Sequence, residues 1–212
     1  MFYKHSREGK IVVLIVYVDD IILTGNDSLE LERLKKALTR EFDIKDLGPL
    51  RYFFGMEFAR SKKGSFISQR KNKLDLLSET GLLGCKATET PIEPNLKLQP
   101  TSPVEVIDKE KYQCIVRRLI YLSHTRPNIA FAVSMVIQFM HSPNQGHLDV
   151  VYRILRYLKG TLRKGLLYEN RGHLQLNVFI DADWVGNVID RRSTSRYYTF
   201  VGGNLVTWQS KK

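Results

Sequence analysis

Residues 11–25 read IVVLIVYVDDIILTG, which is two β-branched runs separated by a pair of aspartates. β-Branched residues favour strands, and aspartate favours the turns that join them. The stretch therefore predicts a hairpin with Asp19 and Asp20 at its tip. Neighbouring residues of a flat strand point to opposite faces of a sheet, but at a hairpin tip both carboxylates can reach one site.

Two adjacent carboxylates at such a tip suit hard divalent cations. Mg²⁺ prefers oxygen ligands, and two-metal phosphoryl transfer uses carboxylates to hold both ions against the attacking hydroxyl and the leaving phosphate. An isolated Asp-Asp pair is also ordinary turn chemistry, so the pair alone leaves both interpretations open.

The composition bears on the class of binding partner and on the cellular compartment. Lys and Arg number 33 against 22 Asp and Glu, a net charge of +11. That charge suits a polyanion such as nucleic acid or an anionic membrane surface, and it is equally compatible with an ordinary solvated basic surface. The two cysteines are too few for a disulfide framework, which favours a reducing, intracellular compartment.

Downstream of the first hairpin, the patterns predict a mixture of helices and strands. A helix begins at Asp27, and an aromatic hairpin follows with strands at Leu50–Ala59 and Ser65–Gln69. A short helix at Lys71–Thr80 leads into a proline-rich connector. Three further helices, the second at Asn128–Met140 nearly all apolar and therefore central, precede strands at 166–168, 174–180, 197–201 and 205–208.

Nine runs along the chain carry a resemblance to a known family. They are LIVYVDDIILTG, DLGPLRYFFGMEF, ISQRK, LIYLSHTRPNIAFAV, QFMHSP, RILRYLKGT, DADW, RRSTS and TWQSKK. Their order and approximate spacing resemble the Pol polyprotein of copia-type long-terminal-repeat retrotransposons, over almost the whole chain.

The resemblance implies an α+β fold. A partial reverse-transcriptase palm would occupy residues 1–84, a proline-rich connector 85–108, and thumb or connection helices 109–164. An incomplete ribonuclease H-like antiparallel sheet would occupy residues 165–212.

The resemblance also implies site residues. Asp19 and Asp20 match the paired metal-binding aspartates of the polymerase, and Tyr17 matches the tyrosine beside the primer end. The segment 52–58 resembles the hairpin that grips the primer strand, and Asp181 matches the first metal-binding aspartate of ribonuclease H.

The thumb-like helices would track a primer–template or RNA–DNA duplex. Arg153, Arg156 and Lys159 are the candidate phosphate contacts there, although they could equally form a solvated face. The implied cofactor is Mg²⁺ or Mn²⁺, with no small-molecule cofactor and no membrane partner, and with other Pol segments as possible partners in trans.

Several features depart from the family pattern. The third polymerase aspartate, upstream of the hairpin, and the ribonuclease H glutamate, beyond Trp208, have no counterpart here. We therefore expect both sites to be incomplete and the chain alone to be inactive, with a non-catalytic nucleic-acid-binding remnant or a decayed element without function as alternatives. Arg117 and Arg196 stand where glycine is usual, and Asn128 replaces aspartate as a helix cap; the arginines would be costly if buried.

Overall fold

The computed structural model describes residues 1–6, 8–94, 96, 98, 107–183 and 194–211. This part of the chain contains five helices and three antiparallel sheets, so the predicted α+β class is confirmed. The chain divides into two compact units, Met1–Leu50 and Arg51–Lys212. None of the helices in the described ranges is long and apolar enough to cross a membrane.

The first unit is a three-stranded sheet followed by one helix. Its elements are β1 (Phe2–His5), β2 (Ile11–Tyr17), β3 (Asp20–Gly25) and α1 (Ser28–Glu41), with strand order β1-β2-β3. The predicted hairpin is β2–β3, and β1 is a strand that the sequence patterns did not predict. Asp27 caps α1 as expected, because its carboxylate accepts a hydrogen bond from the Glu30 amide at 3.1 Å.

The second unit opens with a four-stranded sheet. Its strands are β4 (Tyr52–Phe53), β5 (Met56–Ser61), β6 (Gly64–Ser68) and β7 (Leu166–Tyr168), in that spatial order. The single strand predicted at Leu50–Ala59 is wrong, because a turn at Phe54-Gly55 divides it into β4 and β5. Strand β7 pairs with β6, which joins the chain after the helices back to the aromatic hairpin.

Four helices form the hydrophobic core of this unit. They are α2 (Arg70–Glu79), α3 (Lys109–Ser123), α4 (Pro127–Ile137) and α5 (Gln145–Gly160). The central position predicted for α4 is confirmed by its four buried residues, which are Ile129, Ala132, Val133 and Val136. Asn128 does not cap this helix: Pro127 occupies the first turn, and the Asn128 side chain accepts a hydrogen bond from Arg126 instead.

A cluster of polar side chains lies in the core, where several of the nine runs quoted above contact one another. The Gln69 side chain accepts a hydrogen bond from the Thr125 hydroxyl at 2.8 Å. The guanidinium of Arg126 donates to the Thr161 carbonyl at 2.9 Å and to its hydroxyl at 2.7 Å. The Lys73 amine donates to the carbonyls of Leu162 and Lys164, at 2.6 and 3.0 Å. Runs that are distant in sequence are thus joined inside the core.

The last strands of the second unit form the third antiparallel sheet. Its strands are β8 (Leu176–Asp183), β9 (Thr194–Val201) and β10 (Asn204–Lys211), in the order β10-β9-β8. Trp208, predicted as a core residue, is half-buried, and its indole donates to the Ser123 carbonyl at the end of α3 at 3.0 Å. Trp184, also predicted as core, lies outside the described residues.

Candidate catalytic hairpin and nucleic-acid-binding surfaces

The β2–β3 hairpin closes in a two-residue turn. Tyr17 pairs with Asp20 across the strands, so Val18 and Asp19 form the turn between them. Directly opposed residues of an antiparallel pair share one face, which places the Tyr17 ring and the Asp20 carboxylate on the same side of the hairpin. The Asp19 and Asp20 side chains are both exposed at the tip.

Val18 adopts a left-handed backbone conformation, with φ of 48°. A β-branched residue rarely takes a positive φ, and such strain concentrates at functional sites. The conformation is a consequence of the tight turn, which brings two carboxylates to the end of one hairpin. The compact tip of the hairpin therefore requires a strained backbone at Val18.

The donors at the tip fit a magnesium ion that is also held by substrate. Mg²⁺ is usually bound by one or two protein carboxylates together with phosphate oxygens and water. Asp19 and Asp20 supply two such carboxylates. Within the described ranges, no group of three or more histidine, cysteine, aspartate or glutamate side chains is placed to hold a metal ion.

Asp181 lies on β8, directly opposite Arg196 on β9. The nearest oxygen and nitrogen of the two side chains are 3.8 Å apart, and the Asp181 side chain is 71% exposed. The Arg196 guanidinium also lies over the Phe131 ring, 4.3 Å from its centroid. The Arg196 guanidinium therefore lies beside the Asp181 carboxylate. The role of Asp181 as a metal ligand stays a prediction.

The three basic residues predicted to contact phosphate differ in their surroundings. Arg153 forms an ion pair with Glu93 at 2.6 Å and donates to the Thr90 hydroxyl at 3.1 Å. Lys159 donates to the Cys85 carbonyl. Both side chains thus tie α5 to residues 85–93, whereas Arg156 is exposed on the same helix. Phosphate contact by the three residues stays a prediction. Arg156 is the most accessible of the three cations.

A groove beside the aromatic hairpin was not anticipated as a site. It has a volume of about 480 Å³ and lies between the β4–β5 turn and the helices α2 and α3. Its lining residues are Tyr52, Phe54, Gly55, Asn72, Arg117, Arg118, Tyr121 and Leu122. The sequence patterns gave no sign of it because these residues come from three separate elements.

Comparison with known proteins assigns the family. Residues 1–94 match the family described as reverse transcriptase (RNA-dependent DNA polymerase). An uncharacterized mitochondrial protein of Arabidopsis thaliana is 40% identical over 94% of this chain and 82% of its own length. The chain is also 41% identical, over 98% of its length, to the retrovirus-related Pol polyprotein from transposon RE1 of the same plant. The chain belongs to the copia-type Pol polyprotein family. The resemblance inferred from the nine runs is thereby confirmed.

Three further findings concern this member of the copia-type Pol family. A putative transposon Ty5-1 protein of Saccharomyces cerevisiae is 33% identical over the whole chain and 69% of its own length. The chain spans 14% of the length of the RE1 polyprotein. No solved structure matches the chain. Reverse transcriptases use divalent metal ions and bind nucleic-acid duplexes, which agrees with the carboxylates at the hairpin tip and with the basic composition.

The resemblance implied a glycine at the position of Arg117, and the surroundings of this side chain determine the energetic cost of an arginine there. It lies in the middle of α3 and is exposed. The packing penalty expected for a buried arginine therefore does not arise. Because arginine is a better helix former than glycine, the substitution favours the helix.

Replacing Arg117 by glycine is accordingly expected to lower the free energy of unfolding by about 1 kcal/mol. Urea denaturation followed by tryptophan fluorescence measures this change, since Trp208 lies in the second unit. Arg117→Ala is the matched control and should leave stability nearly unchanged. A more stable Arg117→Gly variant would show instead that the arginine damages packing.

Proposed function

We propose that this chain is the part of a copia-type reverse transcriptase that carries the paired catalytic carboxylates and the helices that bind the template–primer. The observation that carries the proposal is the strained β2–β3 tip, where Asp19 and Asp20 are exposed side by side and Tyr17 shares a face with Asp20. The family match supports it, since residues 1–94 include this hairpin.

In this proposal the hairpin tip positions the reacting groups of DNA synthesis. Asp19 and Asp20 are the residues that would hold Mg²⁺ or Mn²⁺, in the presence of the incoming nucleotide. When bound, the ion activates the primer hydroxyl and neutralises charge on the transferred phosphate. Tyr17 packs beside the primer end, on the face that it shares with Asp20.

The remaining segments take supporting parts. Residues 1–84 act as palm, with the β4–β5 hairpin against the primer strand, and residues 85–108 as the connector. Residues 109–164 act as the thumb, where Arg156 contacts phosphate. Residues 165–212 act as the start of a ribonuclease H-like domain, in which Asp181 contributes to a second metal site.

The second candidate is a non-catalytic nucleic-acid-binding module. The net charge of +11 favours it, and so does the number of carboxylates at the tip, since two-metal catalysis generally needs more than two. Binding of an RNA–DNA duplex that weakens steeply with salt, without any primer extension, would support this candidate.

The test of the polymerase proposal is a chimeric enzyme. The 207 residues matched in the RE1 polyprotein are replaced by those of this chain, and primer extension is measured on an RNA template with Mg²⁺ or Mn²⁺. The chimera should extend the primer, and the Asp19→Asn, Asp20→Asn double variant should not. Undiminished extension by the double variant would show that these carboxylates hold no catalytic ion.

The matched control is the Asp43→Asn, Asp46→Asn double variant. It also removes two negative charges from the first unit, but it leaves the hairpin unchanged. This control should extend the primer like the parent chimera. The isolated chain, assayed under the same conditions, is expected to incorporate no nucleotide.

A further inference from the structure

The groove beside the β4–β5 turn presents an aromatic ring from a strained backbone position. Phe54 and Gly55 form the turn, with φ of 48° and 69°. Two consecutive positive φ values are typical of type I′ turns, where asparagine and glycine are the usual residues. A phenylalanine there is an outlier, and strain of this kind concentrates at ligand-binding sites.

The rings of the groove are accessible. Tyr52 is 53% exposed and Phe54 is 41% exposed. The position of the turn is fixed from α3, since the Tyr121 hydroxyl donates to the Phe54 carbonyl. From α2, the Asn72 amide approaches the Gly55 carbonyl at 3.4 Å. The groove therefore offers flat apolar surface on a positioned turn.

The charge of the groove is positive. Arg117 lies one helical turn before Tyr121, so the two side chains are neighbours on the same face of α3. Arg117 has no ion-pair partner among the described residues, whereas Arg118 pairs with Glu79. Among the residues that the structure describes, none that lines the groove is acidic. An anionic group that enters it therefore meets an uncompensated guanidinium.

We infer that this groove binds an unpaired nucleotide of a nucleic-acid strand, with the base stacked on Tyr52 and Phe54 and the adjoining phosphate at Arg117. Aromatic platforms beside cations are the general means of holding single strands. A volume of about 480 Å³ accommodates one nucleotide but no base-paired helix. The inference rests on the proposed function for the kind of polymer that binds, and it adds Arg117 as a phosphate contact.

The test measures binding of the whole chain to a labelled oligothymidylate of about 12 nucleotides by fluorescence anisotropy, over a range of salt concentrations. Phe54→Asn should weaken binding about tenfold, because it removes the ring. Asparagine tolerates the positive φ, so this variant keeps the turn. Arg117→Ala should reduce the slope of log K against log salt by about 0.7, the value for one phosphate contact on a single strand.

Arg60→Ala is the charge control, because Arg60 is exposed in the same unit but does not line the groove. It should leave both the affinity and the salt slope near those of the parent chain. An abasic strand of equal length should bind the parent and Phe54→Asn equally, since it has phosphates but no bases. The effect of Phe54→Asn should likewise be absent with a blunt duplex, because its bases are paired and stacked on one another.

Equal binding of oligothymidylate by Phe54→Asn, Arg117→Ala and Arg60→Ala would overturn the inference. So would an effect of Phe54→Asn that persists with the abasic strand, because the ring would then act without a base. The Asp19→Asn, Asp20→Asn variant should bind the strand like the parent chain. A catalytically silent chimera with intact groove binding would thus count against the polymerase proposal and not against the groove.

Discussion

Replacing Arg126 by methionine is expected to lower the free energy of unfolding by about 3 kcal/mol. Arg126 is only 2% exposed, and its hydrogen-bond partners in the described part of the chain include no carboxylate. Its guanidinium donates to the carbonyl and hydroxyl of Thr161, the residue that caps the C-terminal end of α5. A cation at a helix C-terminus interacts favourably with the helix dipole.

The size of this effect follows from what the substitution leaves behind. Methionine fills a similar volume, so the cavity is small, but the Thr161 carbonyl and the Asn128 side-chain oxygen lose their donor. An unsatisfied buried acceptor costs about 1 to 3 kcal/mol. Removing the charge also removes its desolvation cost, which offsets part of that loss. Burial lowers the pKa of Arg126, but a guanidinium stays charged throughout the accessible pH range.

Urea denaturation monitored by tryptophan fluorescence measures the change. Arg118→Met is the matched control, because Arg118 is a half-exposed arginine that pairs with the exposed Glu79. Such a pair contributes less than about 1 kcal/mol. If Arg126→Met were as stable as Arg118→Met, the hydrogen bonds to Thr161 would contribute little to the fold.

The contacts of Arg126 show why the sequence indicated the family more readily than the geometry of the candidate site. The runs TRPNIAFAV and RYLKGT contribute Arg126 and Thr161, and ISQRK contributes Gln69. These residues meet in the core and not at the hairpin tip. Several residues of the recognisable runs in the second unit are therefore buried polar groups that contact one another. Hydrophobic periodicity in the sequence does not indicate such contacts.

The parts of the fold that could be predicted depend on short-range patterns. The β2–β3 hairpin follows from β-branched runs around two aspartates, and the cap at Asp27 follows from its spacing to Glu30. The Phe54-Gly55 turn could not be predicted, because phenylalanine is not a turn residue. The pairing of β7 with β6 depends on contacts across about a hundred residues, which no local pattern encodes.

The candidate site shows the same division. The carboxylates of Asp19 and Asp20 were found because their chemistry and their turn lie in one short run. The groove was missed because it assembles Tyr52, Asn72 and Arg117 from a strand and two helices. The sequence also gave no indication that Arg153 would be held by Glu93, since that contact crosses 60 residues.

A second large effect is expected from pH and depends on Lys73, which is 1% exposed. The pKa of Lys73 is lowered from 10.5 to about 8, mainly by burial and also by the nearby charges of Arg126 and Arg70, while Glu57 opposes the shift. Between these two values the unfolded chain holds a proton that the folded chain has lost. Stability should therefore rise with pH over this window, by about 2 kcal/mol up to a pH of about 9.5.

The neutral amine can sustain the fold because it keeps two N–H donors for its two acceptors, the carbonyls of Leu162 and Lys164. The upper limit of the window is set by tyrosine. Burial raises the pKa of Tyr112, Tyr121 and Tyr168, so the unfolded chain ionises first and stability falls again above a pH of about 10. The measurement therefore belongs between a pH of about 7 and about 9.5.

Urea denaturation at several pH values separates Lys73 from the other groups. Lys73→Met should lose the rise in stability, although its overall stability falls because two carbonyls are left without a donor. Lys71→Met is the matched control on the same helix, and it should keep the rise because Lys71 is exposed. A flat profile in the parent chain, or a rise that survives in Lys73→Met, would mean that Lys73 remains charged in its buried position. The two carbonyls would then suffice to hold an ammonium ion in the core.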